Sequence, residues 1–111
     1  MELRHLLEVT DADVAVVQET HCRPAQKLSG WAGWTVYNKP RRSEHQEEKG
    51  SGGLMIAARE RAYISMTEMR QRLVAPGDVF SEWQHVRMVP MTQRGQEIYL
   101  GNVYTPPREH V

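Results

Sequence analysis

"VAVVQETHC", Val14 to Cys22, decides how the rest of the chain reads. Its apolar start runs without a break into Gln18, Glu19, Thr20 and His21. An apolar run with no alternation predicts a strand covered on both faces. A carboxylate at the end of such a strand is costly to bury, so Glu19 either reaches water, pairs with a cation or holds a ligand. Open α/β sheets place ligand sites at the carboxyl ends of their strands, where Glu19 falls. A hard oxygen donor there suits Mg²⁺, which takes one or two carboxylates and keeps several waters.

Upstream, Leu3, Leu6 and Leu7 recur at helical spacing with Glu2, Arg4, His5 and Glu8 outside them, so a short amphipathic helix precedes the strand. "TDAD" (Thr10 to Asp13) breaks that helix, and a helix entering a strand through a short loop is an α/β pattern. Downstream, "RPAQKLSGWAGW" reads as a loop that buries its tryptophans, followed by a strand at "WTVYN" (Trp34 to Asn38). Lys39 to Gly53 holds charges of both signs and three glycines with almost nothing apolar, which predicts a flexible, exposed charged loop over 39–53. "LMIAA" (Leu54 to Ala58) is a second buried strand. Arg59 to Val79 shows no clear period beyond a turn at "APGD" (Ala75 to Asp78). "EWQHVRMVPM" and "EIYLGNVY" then form an antiparallel hairpin with Gly95 in the turn, and the prolines of "TPPREHV" stop further pairing.

The totals narrow the class. At 111 residues there is room for one small domain or a piece of one, and 40% hydrophobic with 25% charged residues is a globular composition. Fourteen basic residues balance fourteen acidic ones, so bulk charge supplies no attraction to nucleic acid or an anionic membrane. Any nucleic-acid chemistry has to work through a local site. The single cysteine, Cys22, excludes an internal disulfide framework and fits a reducing compartment. With no membrane-length apolar run and no signal-peptide core, the expected location is intracellular and the expected partners include no membrane.

"GNVYTPP" (Gly101 to Pro107) is the second stretch with chemistry in it. Asn102 and Tyr104 are two apart and share a strand face, with Tyr104 at the strand's exit. Such a tyrosine is either a rim aromatic or a hydrogen-bond donor to a ligand. Taken in order, "DADVAVVQETH", "GW" with "TVYN", "GSGGLMIAAR" and "IYLGNVYTPP" resemble successive blocks of the endonuclease/exonuclease/phosphatase superfamily, above all its apurinic-endonuclease-like branch from non-LTR retrotransposons. The resemblance spans nearly the whole chain.

It implies an α/β fold: a partial two-sheet sandwich of mainly antiparallel strands with few helices. It also implies a Mg²⁺-dependent phosphodiesterase, Mn²⁺ being able to replace Mg²⁺, with DNA as the parent substrate and a nuclear location if the chain is retroelement-derived. Glu19 would be the metal ligand and a catalytic group, Tyr104 the catalytic donor at the phosphate, and Gln18 and Asn102 would orient them. Members of the family also carry an earlier Asn-bearing strand, a later Asp-x-Asn motif and a terminal Asp-His pair. None of these occurs here, so residues 1–111 correspond to about the first half of such a domain, lacking its first strand and C-terminal half. Without the base that activates water, the fragment is expected to be inactive alone. The alternative, from a different class, is a non-catalytic remnant serving as an interaction or scaffold module. A half-sandwich would also leave an apolar face bare over Val14 to Val17, Leu54 to Ile56 and the Val86 to Val103 hairpin, through which the chain would self-associate.

Other features carry less. His21 and Cys22 have no second cysteine or spaced histidine to complete a metal site. Cys22 has no visible base to activate it as a nucleophile. "GSGG" has its lysine, Lys49, on the wrong side for a nucleotide cradle. Arg41 and Arg42 are offset by Glu44, Glu47 and Glu48, and Trp31, Trp34 and Trp83 read as core or interface aromatics.

Overall fold

Leu54–Arg59 (β3) is the strand around which the layers assemble. Leu54, Met55, Ile56, Ala57 and Ala58 all have no exposed surface. Nothing in that run needs water, so it can sit at the centre of a sheet with both faces covered. The computed structural model describes residues 3–20, 31–39, 52–78, 80–92 and 95–105. Within them lie one helix, Leu3–Thr10 (α1), and the strands Val14–Gln18 (β1), Trp34–Lys39 (β2), β3, Tyr63–Met69 (β4), Glu82–Pro90 (β5) and Ile98–Tyr104 (β6). The strands form two three-stranded sheets, ordered β1-β3-β2 and β4-β5-β6. Every pairing is antiparallel. The result is a mostly antiparallel α/β arrangement with few helices.

Alternation along β3 divides its side chains between two layers. Met55 and Ala57 join Leu7 and Trp34 in a cluster that α1 closes, with Ala15, Val17 and Val36 packed around it. Leu54, Ile56 and Ala58 face the second sheet. Arg59, at the end of β3, ties α1 down: its Nε donates to the Ala12 carbonyl at 2.7 Å and its Nη2 to the Leu7 carbonyl at 3.1 Å. The Leu7 carbonyl, near the helix end, also accepts from Ala12 N–H at 3.3 Å. The same guanidinium lies 4.4 Å from the Trp34 ring centroid, and the Trp34 indole N–H donates to Glu8 at 3.3 Å.

Side-chain amides stitch the two sheets together. Gln84 Nε2 donates to the Tyr37 carbonyl at 2.7 Å, and Gln18 Nε2 donates to the Val103 carbonyl at 2.5 Å. Asn102 Nδ2 reaches the Val17 carbonyl at 3.0 Å and the Met55 carbonyl and Gln84 Oε1 at 3.3 Å each. Gln84 and Asn102 are each 1% exposed, and these bonds meet their amide nitrogens, whereas Asn102 Oδ1 is buried without a partner among the described residues.

Two expectations are corrected. Val14 to Val17 is not covered on both faces: β1 is an edge strand and Val16 is 47% exposed. The doubly covered strand is β3, because it alone in its sheet has a neighbour on each side, α1 above and a second sheet below. Nor is the face bare over Leu54 to Ile56 and at Val86, which have no exposed surface, although Val16, Ile98 and Val103 of the other named stretches are exposed. The β4-β5-β6 sheet supplies the cover that the half-sandwich reading took to be missing. Its first strand, β4, comes from the stretch whose period was unreadable. The hairpin stands as expected, with Gly95 at φ +85° and Glu82 to Met88 pairing Tyr104 to Ile98. The Ala75 to Asp78 turn closes through Asp78 N–H to the Ala75 carbonyl at 2.9 Å. Most of the 39–53 loop, with Arg41 and Arg42, lies outside the described residues, as do His21 and Cys22; Lys39 itself ends β2.

Candidate functional site

The strand registers bring five chain segments to one end of the two sheets. Gln18 and Lys39 both pair with Leu54, so the ends of β1 and β2 meet the start of β3. Glu82 pairs with Tyr104, so the start of β5 meets the end of β6. The Gln18 bond to the Val103 carbonyl then joins the two sheets at that end.

Glu19 stands just past β1 and is exposed, with a left-handed backbone at φ +54°. That conformation is uncommon for a residue with a Cβ, and it takes Glu19 out of the strand's alternation. The partner strand opens the same way, at Gly53 with φ +94°, a value glycine adopts at little cost. Thr20 N–H donates to the Gly53 carbonyl at 3.2 Å. Gly53 N–H in turn donates to both carboxylate oxygens of Glu82, at 3.0 and 3.1 Å. A continuous row therefore runs from Glu19 and Thr20 through Gly53 and Glu82 to Tyr104. Tyr104 is partly buried, and on its flank the Ser81 and Thr105 hydroxyls bond at 2.7 Å.

Glu19 and Tyr104, chosen from opposite ends of the sequence, are thus placed on neighbouring strands at one end of the molecule. Gln18 and Asn102 are beside them, and both are engaged by backbone carbonyls of the opposite sheet. They hold β1 against β6, and the relative position of Glu19 and Tyr104 depends on that. Glu82 escaped the sequence reading. Pairing residues outward from the Gly95 turn would have found it, because the register that sets Gln84 against Asn102 also sets Glu82 against Tyr104.

A divalent cation fits this end only in a limited way. Among the described residues no group of three or more His, Cys, Asp or Glu side chains is placed to hold a metal. Glu82 is already bound to Gly53 N–H, leaving Glu19 as the exposed carboxylate of the row. One carboxylate with waters and a substrate phosphate is within the habits of Mg²⁺, whereas a closed cage is not what these residues build. The described histidines lie elsewhere: His5 on α1, and His85 on the outer face of the second sheet. Compared with family models, curated proteins and solved structures, the chain matches none.

Proposed function

We propose that this chain is part of a Mg²⁺-dependent phosphodiesterase of the endonuclease/exonuclease/phosphatase type, with DNA as the substrate of the full domain. The observation that carries the reading is the row from Glu19 to Tyr104, which sets an exposed carboxylate and a phenol at one end of a two-sheet sandwich. Glu19 would hold the cation, and when bound the cation would neutralise phosphate oxygens. The Tyr104 hydroxyl would donate to a non-bridging phosphate oxygen as charge builds there. Gln18 and Asn102 hold β1 against β6. Glu82, the carboxylate opposite Tyr104, is engaged by Gly53 N–H and is not free to take a proton from water, so hydrolysis by these residues alone is expected to be negligible.

A second reading, a non-catalytic interaction module, is favoured by the absence of a metal-binding cluster among the described residues. Paramagnetic Mn²⁺ separates the two. Added to isotopically labelled protein, it should broaden the amide resonances of Thr20 and Thr105 first, and Glu19→Gln should abolish the effect. Uniform or absent broadening in the wild type would leave the nuclease reading without its metal.

A further inference from the structure

Around the corner from the Glu19 row is a cavity of about 450 Å³ lined by Lys39, Glu68, Arg70, Trp83 and His85. That volume lies in the range of small-ligand sites. Strand lengths create it: β4 pairs with β5 only as far as Met69 opposite His85, so the start of β5 has an open edge. Beyond Met69 the chain crosses the outer face of the second sheet. A Cβ built on Gly101 would lie 3.1 Å from the Leu73 side chain, and Gly101 pairs with His85. The crossing segment therefore roofs His85, which is 7% exposed. Arg72 holds that roof rigid by donating to the Val74, Ala75 and Asp78 carbonyls at 3.1, 3.2 and 3.0 Å.

The lining has a distinct chemistry. The Lys39 ammonium sits 3.8 Å from the centre of the Trp83 ring and also donates to the Trp83 carbonyl. Arg70 is exposed at the mouth. His85 Nδ1 is buried and has no hydrogen-bond partner among the described residues. A buried polar atom left so costs stability and marks a place where the fold alone does not complete the bonding. The lining holds two cationic side chains, Lys39 and Arg70, and the carboxylate of Glu68, whose charge, second to burial, raises the pKa of Tyr37 across the sheet interface.

We infer that this notch takes a phosphate group of a single nucleic-acid strand, between the Lys39 ammonium and the Arg70 guanidinium, with the His85 ring at its base. Trp83 adds an aromatic surface beside the cations, the combination with which single strands are held. The notch flanks the Glu19 row: Lys39 and Gln18 lie on either side of Leu54, two strand spacings or about 10 Å apart. A strand lying along that end of the molecule would meet both. The choice of nucleic acid rests on the phosphodiesterase reading; the anion site itself rests on the cavity.

The test uses the whole chain, a fluorescently labelled oligothymidine and EDTA, so that no metal contributes. Anisotropy should report binding that weakens about tenfold in Arg70→Gln and strengthens in Glu68→Gln. The slope of log affinity against log salt should fall by about one in Arg70→Gln. Arg4→Gln, on α1 at the far side of the first sheet, should change neither. In the wild type, the His85 ring resonances should shift as oligonucleotide is added. Inorganic phosphate as competitor should displace the strand only weakly. No binding, equal loss in Arg4→Gln and Arg70→Gln, an unmoved His85, or tighter binding of a phosphopeptide would each overturn the inference. Because Mn²⁺ broadening at Glu19 is read separately, failure of either proposal is distinguishable from failure of the other.

Discussion

At Glu19 backbone and side chain make opposing demands. A left-handed backbone at φ +54° favours glycine, yet a charged residue with a Cβ occupies it, and its side chain is exposed. Strain of this kind is tolerated where the side chain has another use. Glu19→Gly is therefore expected to raise stability by roughly 0.5–1 kcal/mol, because relief of strain exceeds the entropy that glycine loses on folding. Chemical denaturation of the two proteins checks this, and a less stable Glu19→Gly variant would mean that the carboxylate serves the fold. Asp11 has the same left-handed backbone, at φ +54°, but its use is visible: it follows α1 directly and its carboxylate accepts Arg61 Nη2 at 2.7 Å. Asn102 differs again. Its amide nitrogen faces acceptors from both sheets, which sets its place, while its Oδ1 is buried without a hydrogen-bond partner among the described residues.

Among the strands, position in the sheet outweighs composition. β1 and β3 are both short apolar runs, but one is an edge and the other a centre. Ile56→Ala should cost about 3 kcal/mol, since a fully buried side chain leaves a cavity between two sheets that cannot close over it. Val16→Ala should cost less than about 1 kcal/mol, because nearly half of that side chain already meets water. Urea midpoints of the two variants decide the matter, and comparable losses would show that the edge strand is buried in solution. The hairpin works differently. Its turn sets which residues face each other, and in this way Glu82, which bonds the start of β3, comes to lie opposite Tyr104.

For the molecule as a whole, pH tests how the layers are joined. The Trp34 hydrogen bond, followed by the charge of Arg59, holds the Glu8 carboxyl below its usual pKa, and the Arg61 hydrogen bond does the same for Asp11. A depressed folded pKa means stability that is whole above the unfolded value and is lost as pH falls through the folded one. The grip on α1 should therefore weaken below about pH 4.5, the upper end of the unfolded carboxyl range. Burial, then Glu68 and Tyr63, raises the Tyr37 hydroxyl. That contribution is whole below the unfolded tyrosine value and fades as pH climbs past about 10. The urea midpoint should thus decline at both extremes, with Glu8→Gln flattening the acid limb and Tyr37→Phe the alkaline one; unchanged limbs in these variants would refute the assignment. Taken by itself, the sequence determined the local pieces: a short helix carrying Leu3, Leu6 and Leu7, a fully apolar strand at Leu54 to Ala58, a hairpin about Gly95, and Glu19 and Tyr104 as strand-end groups. Those follow from periodicity and turn chemistry, which act over a few residues. Only the tertiary structure decided that β3 and not β1 is central, that residues 63–69 form a covering strand, that Glu82 stands opposite Tyr104, and that Lys39 and Arg70 line one notch. Strand order and sheet contact arise between residues far apart in the chain, and two runs of similar composition carry no local mark of which will be enclosed.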